Sequence, residues 1–116
     1  MTRSLREYLQ DILEYVNTIE RLVNGMSFEE VTADERTLLA VMMSFTILGE
    51  AAKGIPQVFR VKYPQIPWKS RAGMRDKMVH EYFQSDLDIL WQTVQTDVPQ
   101  LKILILEILE NLEEDE

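Results

Sequence analysis

The sequence predicts an all-α protein, a compact up-and-down helical bundle, and three observations carry that expectation. Apolar residues recur at alternating three- and four-residue steps, no segment shows the apolar–polar alternation of a strand, and the prolines fall between the apolar runs. With 116 residues, 46% of them hydrophobic and 28% charged, the chain has the size and composition of one folded domain with one core. We expect four to five main helices over residues 1–112 and a frayed acidic tail at 113–116.

The first helix is marked by Leu5, Tyr8, Leu9, Ile12, Tyr15, Val16, Ile19, Leu22 and Val23, which form one amphipathic stripe. Ser4 and Glu7 stand at capping-box spacing before it, and Gly25 supplies its stop. Ser27 with Glu30 repeats the box for a short turn, and Thr32 with Glu35 repeats it again, which opens the second long helix near Ala33. That helix runs through Leu38, Leu39, Val41, Met42, Met43, Phe45, Ile47, Leu48, Ala51 and Ala52 to Gly54, apolar on nearly every face, as a central or interface helix is. Its late polar exception is Glu50, between the small residues Gly49 and Ala51; it is either a paired structural carboxylate or part of an active site.

Pro56, Pro64 and Pro67 leave room for only a short helix over 57–63. The next helix should open near Pro67 or Trp68, bury Met74, Met78 and Val79, and run toward Glu81. Ser85 is placed to cap a helix bearing Leu87, Ile89, Leu90, Trp91 and Val94. Asp97 and Pro99 should open a last one through Leu101, Leu104, Ile105, Ile108 and Leu112.

Composition removes several function classes. Without cysteine there is neither a disulfide framework nor a thiolate metal site, which fits a reducing cytoplasm. No apolar run approaches the roughly 20 residues of a spanning helix, and the first residues lack the apolar core of a secretion signal, so we expect a cytoplasmic protein away from membranes. A glycine-rich phosphate loop, a second histidine for zinc and a nucleophile elbow are all missing, so neither metal nor cofactor is expected.

The net charge of -8 disfavours a polyanionic ligand on average, but the charge is unevenly spread. Residues 60–77 hold six of the twelve bases (Arg60, Lys62, Lys69, Arg71, Arg75, Lys77) against Asp76 alone, a local +5 set against -13 elsewhere. Charges beyond about 8–10 Å are largely screened at physiological salt, so such a segment either attracts phosphate locally or is a solvated helix face. Within it lies Arg75-Asp76-Lys77-Met78-Val79-His80-Glu81-Tyr82-Phe83, where the chain's one histidine follows a basic run. Histidine exchanges protons near neutral pH, and arginine stays charged and grips a phosphate by two bonds. Together they suit phosphodiester cleavage without a metal. Residues five apart on a helix are separated by about 140°, so the pair must be brought together. Either His80 lies in a frayed final turn or, the arrangement we favour, a cleft is shared by two copies about a two-fold axis, each copy giving both residues. Alternatively, His80 is a helix-end donor and Arg75 a surface ion-pair partner. Phe59, Tyr63, Trp68, Tyr82 and Phe83, five of the ten aromatics, cluster in this region; most should be core, with Tyr82 the one best placed to meet a base.

The same stretch resembles the motif of arginine, four residues, histidine, any residue and tyrosine that marks HepT-like proteins of the HEPN superfamily. Ile47-Leu48-Gly49-Glu50-Ala51-Ala52-Lys53, Trp68 and Asp86-Leu87-Asp88-Ile89-Leu90-Trp91 resemble further family blocks in the family's order, so the resemblance spans nearly the whole chain. It implies a homodimeric helical toxin that cleaves RNA and is neutralised by a minimal nucleotidyltransferase antitoxin. It further implies Arg75 and His80 as catalytic residues, Tyr82 as the acceptor of AMP from the antitoxin, and Glu50, Asp76 and Lys77 as support for the cleft. Asp76 stands where the family often has asparagine, and its carboxylate would pair with Arg75 or Lys77 and weaken phosphate binding. Two other readings use the same residues: a non-catalytic dimerisation module that docks a nucleotidyltransferase, and an accessory subunit that holds ATP in the basic cleft.

Overall fold

A computed structural model describes residues 3–66 and 87–112 of the chain. Among the described residues there is no strand; the elements are α1 (Leu5–Val23), α2 (Phe28–Ala33), α3 (Glu35–Lys53), α4 (Gln57–Lys62), α5 (Leu87–Gln92) and α6 (Val98–Asn111), with a π-helical turn over Thr93–Asp97 joining the last two.

The caps written in the sequence fix the first two elements. Ser4 Oγ accepts from the Glu7 backbone N–H at 3.1 Å and Glu7 Oε1 accepts from the Ser4 N–H at 3.3 Å. Ser27 and Glu30 repeat the arrangement at 3.1 and 3.0 Å, and the bonds from Ser27 hold the Glu30 carboxyl below its ordinary pKa. Gly25, at φ +77°, takes the left-handed conformation that lets the chain turn away after α1. The third predicted box does not form. Thr32 lies inside α2 and its hydroxyl donates back to the Phe28 carbonyl at 3.0 Å, so it is not available to cap. The break falls at Asp34 instead, whose carboxylate accepts from the Thr37 hydroxyl at 2.7 Å, and α3 begins at Glu35 rather than near Ala33.

The end of the chain departs from expectation more sharply. Asp97 does not open a separate helix: its backbone is helical (φ -77°, ψ -39°) and its side chain makes no capping bond. Residues 87–111 form one continuous helical run, widened where the Val98 N–H donates to the carbonyl of Thr93, five residues back. Pro99 explains the widening. It has no N–H, and its ring would strike the carbonyl four residues before it, so the ladder lets out one residue instead of breaking. The helix expected near Pro67 and its successor's cap at Ser85 lie outside the described residues.

Helix α1 packs between α3 and α6, and α2 lies against α3. Leu9, Ile12, Val16 and Ile19 of α1 meet Val41, Phe45 and Leu48 of α3 and Ile105 and Ile108 of α6 in one core. The Lys102–Glu20 ion pair, at 3.0 Å, ties the start of α6 to the end of α1, and Trp91 meets Phe28 edge to face with ring centroids 6.1 Å apart. The last helical run therefore starts where α1 ends and returns antiparallel to it, which is the expected up-and-down order.

Candidate functional site

Helix α3 turns two faces to different surroundings. Val41, Phe45, Leu48 and Ala52 are buried, as is Ser44, whose hydroxyl is satisfied by the Ala40 carbonyl at 2.8 Å. On the opposite face Arg36, Leu39, Met43, Ile47 and Glu50 follow at three- and four-residue steps. Leu39 is 42% and Met43 59% exposed, so the outward face carries large apolar side chains that no described element covers. Glu50 is exposed and continues that face two turns beyond Met43.

Beside Glu50, where α1 begins and α3 ends, a cavity of about 440 Å³ is lined by Arg3, Tyr8, Asp11, Ile47, Glu50, Ala51, Lys53 and Gly54. Its shape depends on Gly54. A β-carbon there would stand 2.6 Å from Cζ and 2.8 Å from Cδ1 of Tyr8, so the ring lies directly on the glycine. The Arg3 guanidinium sits 5.0 Å from the centroid of the same ring and pairs with Asp11 and, at 3.8 Å, with Glu7. The hydrogen bond to Asp11 raises the pKa of Arg3 further. With two bases and two acids in the lining, the cavity has no net attraction for a phosphate.

Arg60, which the sequence groups with the phosphate-attracting bases, has another task. Its Nε donates to the Ile55 carbonyl at 3.0 Å and its Nη2 to those of Ala52 and Lys53 at 2.8 and 3.4 Å. These carbonyls lie at or just beyond the end of α3, where helical partners run out. Arg60 is a helix C-terminal cap; the signal for it was Gly54 and Pro56 closing one helix a few residues before an arginine. Of the clustered aromatics, Phe59 is core and Tyr63 half-buried against it, their centroids 4.6 Å apart. Trp68, Tyr82 and Phe83 lie outside the described residues.

Of the residues singled out for function, Glu50 is described, and Arg75, Asp76, Lys77, His80 and Tyr82 lie outside the described residues. The core holds the described chain on either side of them, with Ile66 2% and Leu90 4% exposed. Among the described residues no cluster of acidic or histidine side chains could hold a metal ion, and no helix is long and apolar enough to cross a membrane.

Residues 12–108 match the family model described as ribonuclease HepT-like. A protein of Thermococcus cleftensis named "Probable ribonuclease HepT" is 44% identical over 88% of this chain and 93% of its own length. A candidate RNase of Methanocaldococcus jannaschii is 42% identical over 98% of this chain and 95% of its own. One of Caldanaerobacter subterraneus subsp. tengcongensis is 41% identical over 90% and 94%. No solved structure matches the chain.

The contact between Tyr8 and Gly54 predicts a coupling. Gly54→Ala should destabilise the protein by about 1–3 kcal/mol through overpacking, and much of that cost should vanish in a Tyr8→Ala background. Urea unfolding of the two single variants and the double variant measures it.

Proposed function

We propose that this chain, which belongs to the ribonuclease HepT-like family, is the toxin of a toxin–antitoxin pair and an endoribonuclease that cleaves RNA without a metal ion. One observation carries the reading: the matched span, residues 12–108, contains the arginine, four residues, histidine, one residue, tyrosine spacing intact at Arg75, His80 and Tyr82.

The chemistry follows from what those side chains can do. Arg75 grips the scissile phosphate by two N–H bonds and offsets the charge that develops on its oxygens. A two-fold pair of copies supplies two histidines. One His80 takes the proton of the ribose 2'-hydroxyl, and the 2'-oxygen attacks phosphorus. The P–O5' bond breaks, and the other His80 protonates the departing 5'-oxygen. The products are a 2',3'-cyclic phosphate and a 5'-hydroxyl, and no water enters this step. Lys77 adds positive charge beside the phosphate, and Asp76 tempers it.

Dimerisation is supported by the outward face of α3, where Leu39 and Met43 offer apolar surface to a second copy. Glu50 continues the same face and would support the shared cleft. Neutralisation belongs to a nucleotidyltransferase antitoxin in the cytoplasm, which moves AMP from ATP to the Tyr82 oxygen and releases pyrophosphate. The added phosphate and adenosine bring negative charge and bulk to the cleft, which repels and excludes RNA.

Incubated with total cellular RNA and a chelator, the wild-type protein should cleave, and His80→Ala should lose roughly 10²- to 10⁴-fold in rate with an unchanged circular dichroism spectrum. Equal cleavage by both, or none by a folded wild type shown by mass to be free of AMP, would reject the assignment. Tyr82→Phe should retain cleavage yet gain no mass on incubation with antitoxin and ATP; a wild-type mass gain in that variant would remove Tyr82 as the acceptor.

A further inference from the structure

The last helical run changes partner along its length. Helix α6 packs on α1, whereas α5 reaches α2, where Trp91 meets Phe28 edge to face. The change falls at the π-helical turn, Thr93–Asp97. The apolar pattern by itself does not call for that turn. Leu90, Val94, Val98, Leu101, Ile105 and Ile108 follow at three- and four-residue steps, so an unbroken α-helix would hold them in one stripe. The widened turn takes up one residue more than an α-helical turn, and one residue is about 100° of helix, so α5 is swung by that angle from the line of α6.

Pro99 holds the turn open, because it offers no N–H to the Gln95 carbonyl and its ring keeps that carbonyl away. What α5 aims is the chain before it: His80 and Tyr82 stand seven and five residues ahead of Leu87, where α5 begins. We infer that Pro99 is a positioning residue for RNA cleavage. By keeping the π-helical turn it sets the rotation of α5, and through α5 the placing of the segment that carries His80. The inference rests on the proposed function, and Pro99 takes no part in the chemistry itself.

Pro99→Ala, deletion of the exposed Gln95, and the two combined test it in the full chain. Alanine supplies the missing N–H and lets the run close into a regular α-helix, which turns α5 by about 100°. Deleting Gln95 against the proline turns it as well. Together the two changes remove the extra residue and its cause, so α5 regains its wild-type facing. In protein labelled with 5-fluorotryptophan, the Trp91 resonance is the one that moves in Phe28→Ala. Each single variant should move that resonance and lose roughly 10²-fold in RNA cleavage, and the combined variant should recover both. If a single variant does not fold, the combined one still decides, since it should fold, show the wild-type resonance and cleave. A wild-type Trp91 resonance in Pro99→Ala, a moved resonance with undiminished cleavage, or a combined variant no better than the single ones overturns the inference. A folded, AMP-free wild type that does not cleave rejects the proposed function instead, and the fluorine spectra then decide whether Pro99 aims α5.

Discussion

The packing of α1 on α3 is the constraint on which the rest of the structure depends. The stripe Leu9, Ile12, Val16 and Ile19 is fully withdrawn from water, and Val41, Phe45 and Leu48 complete it from the other side. At about 25 cal/mol per Å² of apolar surface, burial on this scale is the main force holding so small a domain together. It also decides which face of α3 is left over. With Phe45 turned inward, the helical repeat turns Leu39, Met43 and Glu50 outward, and no other described element covers them. Where the two helices meet at their end, Tyr8 lies on Gly54, and Arg60 binds the last carbonyls of α3. The end of α3 is thus held by contacts from both α1 and α4.

Much of this was legible in the sequence, for identifiable reasons. The long amphipathic helices and the caps at Ser4 and Ser27 could be read because their signals are local: a stripe, or two residues three apart, contains the whole interaction. The spacing of Thr32 and Glu35 is the same, yet it misleads, because the Thr32 hydroxyl already serves a carbonyl within α2. Asp97 and Pro99 look like a helix start for an equally local reason, and the continuous helical run overrides them by widening at one turn. Arg60 was hidden differently. Charge counting treats every base alike, and only the fold reveals that this one faces helix-end carbonyls. The apolar excess of α3 was visible, but which of its residues stay outside was not, since that depends on the partner helix.

The function belongs to the same scheme. The family match, residues 12–108, spans the core helices as well as the segment that carries the motif. An acidic protein that acts on RNA has to confine its positive charge, and the sequence does so by crowding half of its bases into residues 60–77. With Arg60 assigned to the end of α3, four of the five other bases of that segment lie between Lys69 and Lys77, close in sequence to the proposed catalytic pair. Residues five apart on an ideal helix do not share a face, and the proposed second copy is what would bring Arg75 and His80 to one cleft.

The central claim is that two copies joined through the outward face of α3 complete one RNA-cleaving site. The most direct measurement is sedimentation of Met43→Arg alongside its cleavage of RNA, with circular dichroism to confirm the fold. The account predicts a folded protein that sediments as a smaller assembly than the wild type and no longer cleaves. A folded monomer that cleaves RNA at the wild-type rate would contradict it.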